Sequence, residues 1–173
     1  MTQPALLIRP STVADLPAIT AIYAEAVLHG TGTFELEPPD QAEMARRRDD
    51  VLSKGLPWLV AQDRGDPSAR VLGYAYANHF RPRRAYRFCL EDSIYLHPEA
   101  RGRGVGRLLL AELMARCEAQ GARQMLAVIG DANNAGSIGV HAALGFAHTG
   151  VLKAAGWKFD RWLDVVLMQR ALG

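Results

Sequence analysis

The segment that most restricts how this chain can fold is the glycine-rich turn Arg101-Gly-Arg-Gly-Val-Gly106. The extended pattern of Ser93–Leu96 precedes it, and the helical pattern of Leu108–Gln120 follows it. Glycines let the backbone approach a ligand closely, and the free N–H groups and dipole at a helix start attract anions. Two arginines within the turn, and Arg107 directly after it, add full positive charges. The turn therefore predicts a site for a phosphate-bearing ligand.

Two common phosphate-binding loops do not fit this turn. A P-loop needs Gly-Lys-Ser/Thr at its end, whereas Gly106 is followed by Arg107-Leu108. A dinucleotide-binding turn needs the spacing GxGxxG, and Gly102, Gly104 and Gly106 have the spacing GxGxG. A turn that only connects a strand to a helix is the remaining structural interpretation, and the nearby arginines argue against it.

The hydrophobic pattern predicts a single α/β domain over residues 1–173. Hydrophobic residues make up 49% of the chain and charged residues 22%, which is typical of a globular domain. Helices are predicted after a capping box at Thr12–Asp15 (ending at Gly30) and at Asp40–Lys54, Leu108–Gln120 and Asn134–Leu144. Strands are predicted at Ala5–Arg9, Trp58–Ala61, Val71–Tyr76, Tyr86–Leu96, Gln124–Ile129, Phe146–Leu152 and Leu163–Met168, with a turn around Gly65–Pro67 between the second and third. The order βααβββαβαββ indicates a mixed sheet flanked by helices.

Charge and cysteine content exclude several classes of protein. The net charge of +2 is too small for a protein that coats nucleic acid, and no apolar run reaches the ~18 residues of a membrane helix. Only three of the 20 Lys and Arg residues are lysines, and arginines cluster at 81–87 and 101–107. These clusters favour a small anionic ligand, although the first could be a solvated charged face. Cys89 and Cys117 match no metal or CxxC spacing, so we expect no metal, reduced thiols and a cytoplasmic location.

Two segments resemble the signatures of the GNAT N-acetyltransferase superfamily. Arg101-x-x-Gly104-x-Gly106 is similar to its Q/R-x-x-G-x-G/A pyrophosphate loop, and Asn133–Phe146 resembles its second signature. The predicted element order also resembles the GNAT fold, a mixed, mostly antiparallel sheet flanked by helices. The resemblance implies that acetyl-CoA is the co-substrate. It also implies the residues that contact acetyl-CoA: Ile94, Tyr95, Leu96, Arg101, Gly102, Arg103, Gly104, Val105, Gly106, Asn133 and Ser137.

Within that superfamily the chain is most similar to the phosphinothricin and methionine sulfone/sulfoximine acetyltransferases. The similarity is carried by Thr33-Phe34 with Glu37-Pro38, Phe80-Arg81 leading to Tyr86, Glu91–Tyr95 and Ala155–Asp164. Cys89-Leu90 and Arg83-Arg84 depart from the family pattern. The resemblance implies acetylation of the α-amine of a small amino-acid-like compound, and a homodimer.

Glu91 is the predicted general base for acetyl transfer. A charged residue inside a strand is unfavourable unless it is paired or functional, and a desolvated carboxylate suits removal of a proton from an ammonium group. Asp92 is a possible substitute, and both could instead be charges at a strand edge. His141 lies where many GNAT enzymes carry a tyrosine acid, so it could protonate the leaving thiolate. It could equally position the substrate or be an ordinary polar residue.

The predicted substrate-binding residues come from the first arginine cluster and nearby aromatic residues. Arg81 and Arg83 could hold an α-carboxylate through a bidentate guanidinium contact. The resemblance places Phe34 beside the same pocket, while the predicted substrate residue Tyr86, like Trp157 and Trp162, could line it or belong to a core or interface. Two other functions remain open: a GNAT enzyme for a protein N-terminus, polyamine or aminoglycoside, and a non-catalytic acyl-CoA sensor.

Overall fold

The computed structural model describes residues 6–66 and 68–173. Ala5 of the first predicted strand, Pro67 of the predicted turn and the N-terminal residues 1–4 therefore lie outside the described residues. Seven strands are described: β1 Leu6–Pro10, β2 Trp58–Asp63, β3 Val71–His79, β4 Cys89–Leu96, β5 Gln124–Gly130, β6 Ala147–Lys158 and β7 Arg161–Ala171. The α-helices are α1 Leu16–His29, α2 Gln41–Ser53, α3 Val105–Ala119 and α4 Ala135–Ala143. The predicted order of elements is confirmed.

The strands form one mixed sheet with the order β1-β2-β3-β4-β5-β7-β6. Neighbouring strands are antiparallel except β4 and β5. β4 pairs with β3 as far as Leu96, whereas its pairing with β5 covers only Cys89–Asp92. Beyond Ala127, β5 pairs with β7 alone. The two parallel strands therefore diverge after Asp92 and Ala127, and a gap opens in the middle of the sheet.

Helices pack on both faces of the sheet. Every residue of Val71–Ala75 in β3 is buried, which requires cover on both faces because alternate side chains point to opposite sides. Tyr74 stacks on Tyr95 of β4 with ring centroids 5.4 Å apart, and Tyr23 of α1 meets Tyr95 edge-on at 4.9 Å. α3 packs against β2, β3 and β4. No helix of the described residues is long and apolar enough to cross a bilayer.

Two predicted boundaries in the middle of the chain are wrong. The strand predicted at Tyr86–Leu96 begins at Cys89, because Arg84–Tyr86 form a 3₁₀ turn that packs Tyr86 edge-on against Phe80 at 5.8 Å. α3 begins at Val105 rather than Leu108, because Gly104 precedes its first turn in a left-handed conformation. The glycine-rich segment thus contains the first turn of the helix.

The last hairpin is longer than the hydrophobic pattern predicts. β6 continues past Leu152 to Lys158 through a bulge at which Ala154 has a positive φ of 48°. The bulge breaks the alternation of side chains, which hides the end of the strand. A two-residue turn of Phe159 and Asp160, both with positive φ, then leads into β7.

Candidate active site

The gap between β4 and β5 forms a cleft of about 640 Å³. It is lined by the ends of both strands, the start of α3, one face of α4 and the loop that follows α1. The structure brings together eleven of the predicted site residues here: Phe34, Glu91, Ile94, Tyr95, Leu96, Arg101, Gly102, Gly106, Asn133, Ser137 and His141. Residues more than 100 positions apart in sequence therefore line one cleft.

The glycine-rich turn lies at one end of the cleft. Gly102 and Gly104 have φ values of 72° and 77°, which L side chains rarely adopt, and no atom lies within 4 Å of a Cβ placed at either. The open space beside them leaves room for a ligand against the backbone at the start of α3. Arg101 lines the cleft, whereas the guanidinium of Arg103 lies 3.5 Å from the carboxylate of Asp63.

The remaining predicted site residues lie outside the cleft lining. Arg103, Gly104 and Val105 do not line it, and the Val105 side chain is fully buried in the core. The predicted substrate residues Arg81, Arg83 and Tyr86 are exposed on the loop between β3 and β4. The Arg81 guanidinium lies 4.6 Å above the ring of Phe80.

Glu91 is a partly buried carboxylate on β4, next to the point at which β4 and β5 diverge. Burial raises the pKa of Glu91, and the negative charge of Asp92 raises it further. The positive charge of Arg81 opposes this rise in pKa. Arg81, on the exposed loop between β3 and β4, therefore acts electrostatically on the carboxylate in the cleft.

Asp92 and His141 form a buried ion pair in the same cleft. The Nε2 atom of His141 lies 2.9 Å from Oδ2 of Asp92, and its Nδ1 atom lies 2.7 Å from the Ser137 carbonyl oxygen. The Ser137 carbonyl oxygen can only accept a hydrogen bond, so Nδ1 donates to it, and Nε2 is within hydrogen-bond distance of the Asp92 carboxyl group. Burial alone lowers the pKa of His141, but hydrogen bonding to Asp92 and its charge outweigh burial and raise the pKa above its ordinary value.

The ion pair leaves one polar atom without a partner. Oδ1 of Asp92 is buried and has no hydrogen-bond partner among the described residues. Nearby, burial and the charge of Asp92 raise the pKa of the Cys117 thiol to about 12, so this cysteine is not a nucleophile at neutral pH.

The loop after α1, which also lines the cleft, is held against the last hairpin. The Nζ atom of Lys158, which is buried, donates to the Thr33 carbonyl oxygen at 2.8 Å. The Phe34 ring lies directly on Gly156, where any Cβ would overlap it. Tyr23 Oη lies 2.9 Å from Thr33 Oγ1, which anchors the loop to α1.

Sequence reasoning missed several residues of the cleft. It considered Asp92 only as a substitute base and did not predict its pairing with His141. It also passed over Thr31, Asp131 and Asn134, which line the cleft. The turn-forming run from Gly130 to Asn134 was the available signal, because Gly, Asp and Asn favour tight loops after a strand.

The described residues contain no group of three or more His, Cys, Asp or Glu side chains that could hold a metal ion. The cleft is lined by backbone groups, the carboxylates of Glu91 and Asp131, the Asp92–His141 pair and the guanidinium of Arg101. This set of groups suits binding of a phosphorylated ligand and proton transfer.

The sequence matches the Acetyltransferase (GNAT) family over residues 20–146, which is more than half of the chain. The chain therefore belongs to the GNAT acetyltransferase family. The resemblance to that family and the expectation of its fold are confirmed.

Individual relatives narrow the class further. The chain is 58% identical to phosphinothricin N-acetyltransferase of Alcaligenes faecalis over 91% of this chain and 78% of that protein. It is 42% identical to L-methionine sulfoximine/L-methionine sulfone acetyltransferase of Pseudomonas aeruginosa over 94% of this chain and 92% of that protein. A crystal structure of a phosphinothricin acetyltransferase from Sinorhizobium meliloti, in complex with acetyl-CoA, matches with a TM-score of 0.93 and 53% identity, covering 98% of this chain and 89% of that one.

Proposed function

We propose that this GNAT acetyltransferase transfers the acetyl group of acetyl-CoA to the α-amine of a small amino-acid-like substrate such as phosphinothricin, methionine sulfoximine or methionine sulfone. The observation that carries the proposal is the position of Glu91, a carboxylate of raised pKa in the cleft, within the electrostatic reach of Arg81. The identity of the chain to enzymes named for these substrates supports the same substrate class.

The residues of the cleft fit acetyl-CoA. The turn Arg101–Gly106 would hold the pyrophosphate, because the left-handed Gly102 and Gly104 leave open space beside the start of α3. Ile94–Leu96 lie beyond the pairing with β5, so backbone groups on that edge are free to bind the pantetheine arm. Ser137 would contact the arm from α4, and Asn133 from the turn before it. Bound there, acetyl-CoA supplies a thioester as the acyl donor.

Glu91 serves as the general base in this proposal. An α-ammonium group must lose a proton before its nitrogen can attack a carbonyl carbon, and a carboxylate with a raised pKa accepts that proton more readily, directly or through water. The negative charge of neighbouring Asp92 contributes to the raised pKa. The amine nitrogen bonds to the acetyl carbon as the carbon–sulfur bond of the thioester breaks, so coenzyme A leaves as its thiolate and no covalent enzyme intermediate forms.

For His141 the geometry favours a positioning role over that of a proton donor to the thiolate. Both ring N–H groups are already committed, one to Asp92 and the other to the Ser137 carbonyl, and the ring is 2% exposed. A ring held in this way pairs with Asp92 and connects β4 to α4 through side chains. We therefore assign it to the support of the cleft beside Glu91.

Arg81 and Arg83 would hold the carboxylate of the amino-acid substrate. Both side chains are exposed, and neither forms an ion pair with a carboxylate of the described residues. Phe34 borders the cleft from the loop after α1, and Tyr86 lies on the arginine loop. This excess of positive charge argues against a polyamine or aminoglycoside, which would need an acidic pocket. A non-catalytic acyl-CoA sensor would keep the turn Arg101–Gly106 but would need neither Glu91 nor the exposed Arg81 and Arg83.

We also propose that the chain, a single domain over residues 1–173, forms a homodimer in the cytoplasm. Trp157, Phe159 and Trp162 are about half exposed or more on the last hairpin, and exposed aromatic clusters are typical of interfaces. The free thiols of Cys89 and Cys117 suit a reducing compartment. Sedimentation velocity would report the dimer, and a single species of monomer mass at micromolar concentration would contradict it.

The test of function follows free-thiol release from acetyl-CoA with a panel of amines. The panel contains phosphinothricin, methionine sulfoximine, methionine sulfone, ordinary amino acids, spermidine, an aminoglycoside and an N-terminal peptide. We expect turnover with the first three. Turnover with cationic acceptors alone would contradict the substrate class, and binding of acetyl-CoA without turnover of any amine would favour a sensor.

A further inference from the structure

Asp131 occupies an unusual position just beyond the end of β5. Its φ is 69°, in the left-handed region that Asp tolerates better than most side chains, and it is 7% exposed. A buried carboxylate is costly unless each oxygen is hydrogen-bonded. Both oxygens of Asp131 have such partners, and the partners come from different segments of the chain.

One oxygen of Asp131 holds the segment that leads into α4. Oδ1 accepts a hydrogen bond from the Asn133 backbone N–H at 3.0 Å, and the Asp131 carbonyl accepts one from the Asn134 N–H, also at 3.0 Å. These bonds fix the turn before α4; the turn contains Asn133, and the first turn of the helix contains Ser137. In the proposed function this segment contacts acetyl-CoA.

The other oxygen of Asp131 holds the loop after α1. Oδ2 accepts a hydrogen bond from Thr31 Oγ1 at 2.9 Å, across 100 residues of sequence. The Arg161 guanidinium lies 3.5 Å from the same oxygen and, at 54% side-chain exposure, adds a weaker contact from β7. Thr31 is three residues before Phe34, so this bond ties Asp131 to the loop that carries Phe34, to which the proposed function assigns the amine substrate.

The two segments also touch each other over Gly130 and Gly32. The Thr31 carbonyl oxygen lies so close to Gly130 that a Cβ there would overlap it. The Asn134 side-chain amide lies 3.5 Å from the position of a Cβ at Gly32 and donates to the Gly130 carbonyl at 3.4 Å. Displacement of one segment would therefore disturb the other.

From this arrangement we propose that Asp131 is a positioning residue that couples the acetyl-CoA site to the amine site through its hydrogen bond with Thr31. The inference rests on the proposed function, because it assigns one segment to each ligand. A ligand that orders one segment reduces the cost of ordering the other, so each ligand tightens binding of its partner. The coupling is reciprocal by thermodynamic necessity.

The test measures the affinity for phosphinothricin by titration calorimetry, with and without saturating coenzyme A. Coenzyme A carries no acetyl group, so both ligands can bind without reaction. For the wild type we expect coenzyme A to tighten phosphinothricin binding about fivefold or more. Thr31→Val removes the hydroxyl at nearly constant size, and we expect its coupling factor to fall close to one while each ligand bound alone changes in affinity about twofold or less.

Two further variants distinguish a loss of coupling from a general loss of ligand binding or stability. Thr31→Ser keeps the hydroxyl and should retain the coupling. Thr149→Val removes a hydrogen bond from a threonine hydroxyl to the Leu167 carbonyl, 3.1 Å long and outside the cleft, and should leave the coupling at the wild-type value. If Thr31→Val does not fold, Asp131→Asn is the substitute, because Asn tolerates the same φ but offers only one acceptor oxygen.

The outcomes distinguish this inference from the proposed function. A wild-type enzyme that binds and acetylates phosphinothricin but shows a coupling factor of one overturns the inference alone. Equal coupling in the wild type and in Thr31→Val does the same. A wild-type protein that binds neither ligand contradicts the proposed function, and the inference fails with it.

Discussion

Adjacent carboxylates on β4 lie in different electrostatic environments. Asp92 pairs with the His141 ring at 2.9 Å, whereas for Glu91 burial and the charge of Asp92 raise the pKa and the charge of Arg81 opposes them. Successive side chains of a strand point to opposite faces, so the two neighbours can have different partners although both line the cleft. Glu91 is therefore left with a raised pKa, as a general base requires.

Replacement of Glu91 by glutamine should remove turnover and spare binding. Glu91→Gln keeps the size of the side chain but cannot accept a proton, so we expect kcat to fall by about 10²- to 10⁴-fold. The affinity for acetyl-CoA, measured by calorimetry, should stay within about twofold, because Glu91 is assigned to the amine and not to the co-substrate. Glu118→Gln, an exposed change on α3, is the matched control and should retain activity. Parallel losses of turnover and acetyl-CoA affinity would contradict the assignment.

Replacement of Asp92 by asparagine should lower the pKa of His141. The raised pKa depends on Asp92, so without its charge burial dominates and the imidazole loses its second proton at lower pH. Because the pKa of His141 is raised in the folded state, protonation of the ring stabilises the fold at pH values below its unfolded pKa of ~6.5. This stabilisation is lost as the pH rises through the pKa of the folded state. NMR titration of the ring measures the shift directly. An unchanged titration in Asp92→Asn would show that the ion pair does not control His141.

At the scale of elements, the glycine-rich turn and helix α4 each contain a glycine, and the two glycines differ in backbone conformation. Gly104 has a φ of 77°, whereas Gly139 lies within α4 without a positive φ, and at neither glycine would an added Cβ have an atom within 4 Å. Steric overlap is therefore the same at both positions, and only backbone conformation differs. The contrast isolates the conformational requirement of the glycine-rich turn.

We expect Gly104→Ala and Gly139→Ala to change stability in opposite directions. Left-handed backbone costs an L residue roughly 1–2 kcal/mol, so Gly104→Ala should lower the free energy of unfolding by about that amount. Alanine in a helix is favoured over glycine by about 0.5–1 kcal/mol, so Gly139→Ala should raise it. Urea unfolding at neutral pH measures both. Gly104→Ala should also raise the KM for acetyl-CoA; a stability equal to that of the wild type would contradict the strain argument.

The elements that sequence predicts well are those with a local signal. α2 begins where its capping residue predicts, since Asp40 Oδ1 accepts the Glu43 N–H at 2.8 Å. The end of β6 and the 3₁₀ turn before β4 could not be predicted, because a bulge and a loop of arginines hide their periodicity. The bonds between Asp92 and His141 and between Asp131 and Thr31 join distant segments, so they depend on the strand order, which no local pattern contains. The proposed phosphate site at the glycine-rich turn, by contrast, could be predicted from sequence, because its glycines and arginines are adjacent in the chain.

At the scale of the whole molecule, acetyl-CoA should stabilise the fold. The cleft draws its lining from the loop after α1 and from β4, β5, α3 and α4, so a ligand there contacts both halves of the sheet. At a concentration of ~100 Kd, binding to the native state alone adds about 2.7 kcal/mol. For a chain of this size we expect the Tm to rise by roughly 5–10 °C. Scanning calorimetry checks this, with adenosine as a control that lacks the pyrophosphate; no shift would contradict the assigned site.

The divergence of β4 and β5 also bears on self-association. Strand edges with unpaired backbone groups usually invite pairing with another chain, and proteins commonly protect them by charge, bulges or cover. Here an unpaired edge lies in the interior of a seven-stranded sheet, between walls formed by α3 and α4. A small, flexible ligand can enter this cleft, but a strand that is already part of another folded sheet is too wide to reach the unpaired edge. The fold thus keeps a row of backbone hydrogen-bonding groups available to a metabolite while protecting the protein from aggregation at that edge.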